Sequence, residues 1–215
     1  MITGTSPAPP SLAIIRRAMD EFKVPAYDQQ ALQVQEYIKL LLTWNDKVNL
    51  TAIRDPLEIL YRHFCESMFA AVSVPIEGGR LADVGTGAGF PGLALKIFKP
   101  GLRVFLVESN LKKATFLLEV IRELGLTDAQ VLVQRYQDLG EELAPLDFVC
   151  ARALGEFPEF LEWAHKYQVM AKQVLLWVGA RDLPDIQRVR GWKWQEPIAV
   201  PNSLRRVLLL GTKVI

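Results

Sequence analysis

The run Asp83-Val84-Gly85-Thr86-Gly87-Ala88-Gly89-Phe90-Pro91-Gly92 constrains this chain more than any other stretch. It follows a short apolar segment, Leu81 to Val84, that reads as a strand. It opens a segment, Pro91 to Phe98, that reads as a helix. Glycine takes up positive φ and lets a ligand approach the backbone closely. Proline presets a helix start where its missing N–H has no intrahelical partner. Three alternate glycines destabilise a helix start unless something needs the room. Strand, glycine turn and helix in that order form the opening unit of a doubly wound α/β sheet, whose ligands bind at the carboxyl ends of the strands.

The chain beyond this turn continues the alternation. Val104 to Val107, Gln130 to Val133, Phe148 to Ala151 and Val174 to Val178 read as strands. Leu111 to Leu124, closed by Gly125, reads as a helix, as do Phe157 to Tyr167 and a short Leu183 to Arg188. Two final strands, Trp192 to Val200 and Arg205 to Leu210, have no helix-length segment between them and are expected to pair as an antiparallel hairpin. The expected fold is α/β: a doubly wound, mostly parallel seven-stranded sheet with an antiparallel C-terminal hairpin and an N-terminal helical extension. Residues 80–215 form the expected catalytic domain, and residues 1–79 a helical region packed on it.

Three helices are expected in that region. Ser11 to Phe22 has Ser11 as N-cap. Gln29 to Asp46 carries an apolar stripe of Leu32, Val34, Ile38, Leu41 and Leu42. Asp55-Pro56 opens a third helix that runs to about Val72, with Leu57, Leu60, Phe64 and Met68 on one face. Met1 to Ser11 reads as a loose Pro-rich tail and not as a signal peptide.

Composition narrows the setting. The net charge is +1, without the basic excess of a free-standing nucleic-acid binder. No apolar run approaches bilayer length. Cys65 and Cys150 have no metal-type spacing, and with two histidines no built-in metal site is expected. The expected home is a reducing cytoplasm.

Two ligand classes use a turn like this one. In one register, Gly87, Gly89 and Gly92 match the dinucleotide fingerprint G-x-G-x-x-G, but that register starts two residues past the strand and encloses Pro91. In the other, Gly85, Gly87 and Gly89 follow Asp83 directly, which is the form used by S-adenosylmethionine (AdoMet). AdoMet needs no phosphate cradle, and its ammonium and sulfonium favour a nearby carboxylate such as Asp83. Glu108, at the end of the second strand, is placed to accept the hydroxyls of an adenosine ribose. The plainer alternatives are a tight turn without a ligand and Glu108 as a cap of the helix at Leu111.

The fourth strand ends in Cys150-Ala151-Arg152-Ala153, not in the Asp/Asn-Pro-Pro-aromatic run that accepts exocyclic base amines. Pyrimidine C5 chemistry needs a cysteine nucleophile, but Cys150 reads as core and Cys65 as structural. An acceptor that is already nucleophilic, such as guanine N7, fits the remainder. Its lone pair is free, so no general base is expected and the catalytic residues stay unassigned.

Several separated motifs resemble the RsmG (GidB) family of bacterial 16S ribosomal RNA guanine-N7 methyltransferases. Trp44-Asn45 and Asn49-Leu50-Thr51 are similar to its W-N-x-x-x-N-L-T segment. Arg62-His63-Phe64-Cys65-Glu66-Ser67 is similar to R-H-x-x-D-S, with Glu66 where the family usually has Asp. Glu108-Ser109, Lys112-Lys113 and Phe116-Leu117 match its D/E-S-x-x-K-R/K-x-x-F-L run, and Arg152-Ala153 resembles S-R-A.

The resemblance implies AdoMet bound by Gly85, the backbone near Phe90, the pair Tyr136-Gln137, and Arg152; Asp83, Gly87, Gly89, Glu108 and Ser109 join them as candidate cofactor contacts. Where Tyr136-Gln137 stands, the family usually has a small or β-branched residue followed by Glu. It implies a substrate guanine in 16S ribosomal RNA or the small ribosomal subunit; no membrane partner and a monomeric chain are expected besides. On the acceptor side, Asn49 and His63 are candidate pocket residues, and Lys112 and Lys113 candidate phosphate contacts. Arg152 suits either guanine O6 or the cofactor, the latter preferred. The competing functions are an AdoMet-dependent methyltransferase for a small molecule or protein, an NAD-linked oxidoreductase, and a non-enzymatic ribosome-assembly factor.

Overall fold

A computed structural model describes residues 7–25, 27–140, 143, 145–166 and 171–214. Most of the Pro-rich start and the expected helix end at Tyr167 lie outside the described residues. Eight strands form one sheet: β1 (Gly79–Val84), β2 (Leu102–Val107), β3 (Ala129–Leu132), β4 (Leu146–Arg152), β5 (Ala171–Gly179), β6 (Trp192–Trp194), β7 (Ile198–Ala199) and β8 (Arg206–Lys213). Their order is β3-β2-β1-β4-β5-β8-β6, with β7 also paired to β8. β1 to β5 pair in parallel, and β8 runs antiparallel to β5, β6 and β7. The order reverses between β1 and β4. In open α/β sheets the crevice at such a reversal receives ligands, and the glycine turn leaves β1 at this place.

One expectation about the far end is corrected. Trp192 to Val200 is not one strand, because Gln195-Glu196-Pro197 interrupts it and leaves β6 and β7 as short pieces. Proline has no N–H for the ladder, which confines it to such breaks and edges.

The helices are α1 (Leu12–Glu21), α2 (Asp28–Val48), α3 (Pro56–Ile59), α4 (Glu66–Ser73), α5 (Gly92–Phe98), α6 (Leu111–Glu123), α7 (Phe157–Lys166) and α8 (Leu183–Gln187). Ser11 caps α1 with its side chain, as its residue type suggests. The single helix expected after Asp55 is interrupted: a π-helical turn, Leu60–Cys65, separates α3 from α4. Two apolar stripes are also corrected. Leu32 and Leu57 are 52% and 45% exposed, whereas Tyr37, absent from the expected stripe, is fully buried.

Side chains alternate along each strand, and the sheet has an apolar core on both faces. One face joins Leu81, Val104, Leu106, Leu175 and Leu208 to α5, α6 and the upstream helices. The other joins Ala82, Val84, Val149 and Leu176 to α7 and α8. Polar bonds fasten the upstream helices to the first face. Gln30 donates to the Ile97 and Phe98 carbonyls at the end of α5, and Gln33 to Leu124 at the end of α6. The Trp177 indole of β5 donates to the Glu66 carbonyl at 2.8 Å.

Candidate active site

The turn after β1 is held from below by the residue that precedes it. Asp83 Oδ2 accepts from the Thr86 hydroxyl at 2.5 Å and from the Gly92 N–H at 2.7 Å. Leu81 and Asp83 share a face of β1, so this carboxylate points toward the start of α5 and has no exposed surface. The carboxylate expected near the ammonium and sulfonium is here enclosed by protein. In this structure it shapes the loop from inside the protein. Burial pushes its carboxyl up to about 6 despite the bonds from Thr86 and Gly92.

The sign of this shift gives a test. A carboxyl raised from 3.8 to about 6 contributes stability below its unfolded pKa that is lost as pH rises through the folded one. Asp83→Asn keeps an oxygen for the two donors and removes the buried charge. The variant should gain on the parent by roughly 1–3 kcal/mol more at about pH 7.5 than at about pH 4. Urea titrations at the two pH values check this, and a gap that stays constant with pH would contradict the shift.

The three alternate glycines serve different ends. All have positive φ, at 67° for Gly85, 58° for Gly87 and 88° for Gly89. A Cβ on Gly89 would collide with the Tyr37 hydroxyl, and one on Gly92 would lie 2.8 Å from Asp83 Oδ2. Those two positions need glycine for the protein's own packing. At Gly85 the nearest atom to a Cβ would be Leu154 Cδ1 at 3.1 Å, and at Gly87 only the Gly85 carbonyl at 3.9 Å. Open space therefore lies over Gly87, whereas a side chain at Gly85 would press on Leu154. The dinucleotide register needs close ligand approach at Gly89, where α2 already sits.

Glu108 meets the loop as the parallel pairing of β1 and β2 requires. Its Oε2 accepts from the Gly87 N–H at 3.0 Å and its Oε1 from the Asn110 N–H at 2.8 Å. The cap of α6 is Asn110, whose side chain accepts from the Lys112 and Lys113 N–H groups, so Glu108 is left to the loop. A carboxylate has about four lone-pair sites, and two remain on Glu108 for further donors. Ser109 is exposed beside it, as is Lys112, and Lys113 is half-buried. Cations in the first turn of a helix oppose its dipole, so helix stability does not account for these two lysines.

Tyr136 and Gln137 lie in a single 3-10 turn after β3. The Tyr136 ring meets Phe160 and Trp163 edge-on, and Gln137 Nε2 donates to Glu159 at 3.1 Å. Both side chains are thus tied to α7.

On the other side of the loop stands a charged cluster. Glu66, almost fully buried, accepts from Arg206 Nε and Nη2 in a bidentate pair, the shortest contact being 2.6 Å, with Arg152 Nη2 at 3.8 Å. Arg152 Nη1 is buried with no protein partner. His63, on the π-helical turn, stacks on the Phe90 ring at 4.8 Å, with its Nε2 2.9 Å from the Thr51 hydroxyl. Thr51 Oγ1 also accepts from the Ile53 N–H, and His63 Nδ1 is buried with no protein partner. Burial, then Arg152 and Arg62, lower the His63 pKa to about 3, so the ring is neutral at neutral pH.

Asn49 is the C-cap of α2 in the left-handed conformation, φ 51°, which asparagine tolerates. The backbone accounts for its residue type. Asn45 holds the following loop by bonding both the N–H and the carbonyl of Thr51. Sequence reasoning missed Tyr37, Asn110 and Arg206. Asn110 carried a readable N-cap signal, whereas the other two act on partners far along the chain.

A family model described as rRNA small subunit methyltransferase G matches residues 30–193. The chain belongs to the GidB family. The protein of that name from Chloroflexus aggregans is 38% identical over 202 residues, covering 89% of this chain and 85% of that one. A Roseiflexus relative of the same name is 39% identical, covering 86% and 84%. Among solved structures, a SAM-dependent methyltransferase from Aquifex aeolicus aligns with TM-score 0.59 at 17% identity, over 77% of this chain and 97% of that one. That likeness concerns the fold, an α/β sheet of the methyltransferase kind. Among the described residues of this GidB chain, no helix is long and apolar enough to cross a membrane.

Proposed function

We propose that this GidB-family chain transfers a methyl group from AdoMet to N7 of a guanine in small-subunit ribosomal RNA. The observation that carries the reading is the junction of two segments 21 residues apart: the open backbone at Gly87, bonded directly to the Glu108 carboxylate. The relatives' names, rRNA small subunit methyltransferases, supply the acceptor class. The cofactor fits what is present. Gly87 offers room that a Cβ would fill, Glu108 retains acceptor capacity for ribose hydroxyls, and Arg152 Nη1 is a buried donor in need of an acceptor.

AdoMet supplies an electrophilic methyl on a sulfonium. The protein's task is to hold guanine N7 in line with it and to exclude water. N7 loses no proton on attack, so the reaction needs no general base, and neither nearby titratable group is offered as one. Asp83 is enclosed, and His63 Nε2 is engaged with Thr51. Alignment of this kind lowers barriers by as much as about 7–11 kcal/mol. Lys112 and Lys113, at the mouth and unsuited to their helix dipole, are the residues proposed to meet RNA phosphates. The guanine is taken from a loop or splayed out, because the A-form major groove that holds N7 is deep and narrow. Cytoplasmic action, as a monomer, on 16S ribosomal RNA or the small ribosomal subunit completes the proposal.

Methyl transfer from labelled AdoMet to small subunits, naked 16S RNA and total metabolites tests it. Label on one guanine base of the RNA, mapped by mass spectrometry, is the expected result, and label confined to small molecules overturns it. Glu108→Ala should weaken AdoMet by about 1.5–3 kcal/mol, the worth of hydrogen bonds to a charged acceptor. A calorimetric titration measures this, and unchanged affinity would remove Glu108 from the site.

A further inference from the structure

The tyrosine midway along α2 reaches the glycine loop from outside the sheet, and the proposed chemistry makes no use of it. Tyr37 has no exposed surface, and its hydroxyl donates to the Ala88 carbonyl at 2.6 Å. Burial, then the charge of Asp83, push its phenol well above the usual range, so the hydroxyl keeps its proton and stays a donor. Its ring stacks on Phe90 at 5.3 Å with 17° between planes and meets Phe64 edge-on at 5.1 Å. His63 covers the opposite face of Phe90 at 4.8 Å. The Phe90 ring is thereby gripped between α2 and the π-helical turn. The fit has no slack, since a Cβ on Gly89 would strike the Tyr37 oxygen.

The other side-chain bonds to this loop come from the sheet. Asp83 of β1 ties Thr86 to Gly92, and Glu108, just past β2, holds Gly87. Between those anchors the Ala88 carbonyl is fixed by Tyr37. We propose that Tyr37 is a positioning residue for the cofactor: through Ala88 it sets where the Gly85–Gly87 backbone lies, which makes the upstream helices part of the AdoMet site. This rests on the function proposed above, and deepens it by giving α2 a role in cofactor affinity.

Removing only the hydroxyl separates positioning from packing. Tyr37→Phe keeps the ring stack and leaves the Ala88 carbonyl, itself nearly inaccessible to water, without its donor. In the full chain, AdoMet should bind about tenfold more weakly in calorimetry. The turnover at saturating AdoMet and the KM for small-subunit RNA should stay within about twofold, because the RNA side is untouched. Hydrogen exchange should quicken at residues 86–90 and not in β5.

A merely structural role predicts something else: a lower thermal midpoint with unchanged AdoMet affinity. Val120→Ala, which hollows the core under α6 away from the loop, shows what general destabilisation does to that affinity. If the parent protein binds AdoMet and Tyr37→Phe binds it equally well, the inference is overturned. If the parent does not bind AdoMet, the functional reading itself falls, and that is seen before any variant is made. Should Tyr37→Phe not fold, exchange in the parent decides. AdoMet should then protect amides of α2 around Tyr37 as well as the loop, and protection confined to residues 85–92 and 108–113 overturns the proposal.

Discussion

Gly87→Val should abolish measurable AdoMet binding, with a loss of at least about 100-fold, while the chain stays folded. Two effects add. Gly87 has φ 58°, a region in which a β-branched residue is a genuine outlier, and holding one there costs on the order of 1–3 kcal/mol. The branched side chain would also project into the space over the loop, where a Cβ meets nothing closer than 3.9 Å. That emptiness makes the prediction specific. Equal substitution at Gly89 or Gly92 would strike protein atoms first and damage folding as well as binding. Calorimetric titration with AdoMet, alongside circular dichroism for the fold, checks the result. A folded Gly87→Val protein with parental affinity would remove the loop from the cofactor site.

The second large effect is on stability. Glu66→Ala should destabilise the chain by about 3–5 kcal/mol, the usual loss when one member of a buried ion pair is removed. Glu66 has a side chain 3% exposed, against 32% for Arg206 and 14% for Arg152. The carboxylate is the only negative partner that either guanidinium has in the described ion pairs. Arg206 is one-third exposed and can rehydrate, which brings the expectation toward the lower end. Arg152 cannot, and is left as an uncompensated cation beside β4. Against a typical total of about 5–15 kcal/mol the loss is large. Urea unfolding measures it. Combining Glu66→Ala with Arg152→Met should restore part of the loss, because the damage lies in the stranded charge. A double variant no more stable than the single one would contradict that account.

The parallel half of the sheet was legible because five apolar runs alternate with helix-length segments, which leaves little topological freedom. The nearness of Glu108 to the loop was legible for the same reason, since successive parallel strands bring their carboxyl ends side by side. The orientation of Asp83 was readable too. It shares strand parity with Leu81, and so faces α5 together with the core. Its chemistry suggested a nearby ligand, and its position in the pleat gives it Thr86 and Gly92 as partners. Other features left no local trace. An inserted residue in a helix does not disturb a spacing such as Leu60–Phe64–Met68, so the π-helical turn that aims His63 at Phe90 was invisible. Tyr37 falls outside the apolar stripe expected for α2, and its bond to Ala88 spans 51 residues. Arg206 and Glu66 are 140 residues apart, and nothing in either neighbourhood names the other.

The position of β8 has a consequence for biosynthesis. Residues 206–213 fill the slot between β5 and β6, so a nascent chain that has delivered every earlier strand still shows an open, hydrogen-bond-hungry flank along β5. The arginine that neutralises Glu66 arrives with the same segment. A polypeptide emerging from its amino end therefore delivers β1 to β5 first, and Glu66 has Arg152 at 3.8 Å but not its bidentate partner until β8 arrives. Closure of the sheet at β5 therefore waits on the synthesis of residues 206–213.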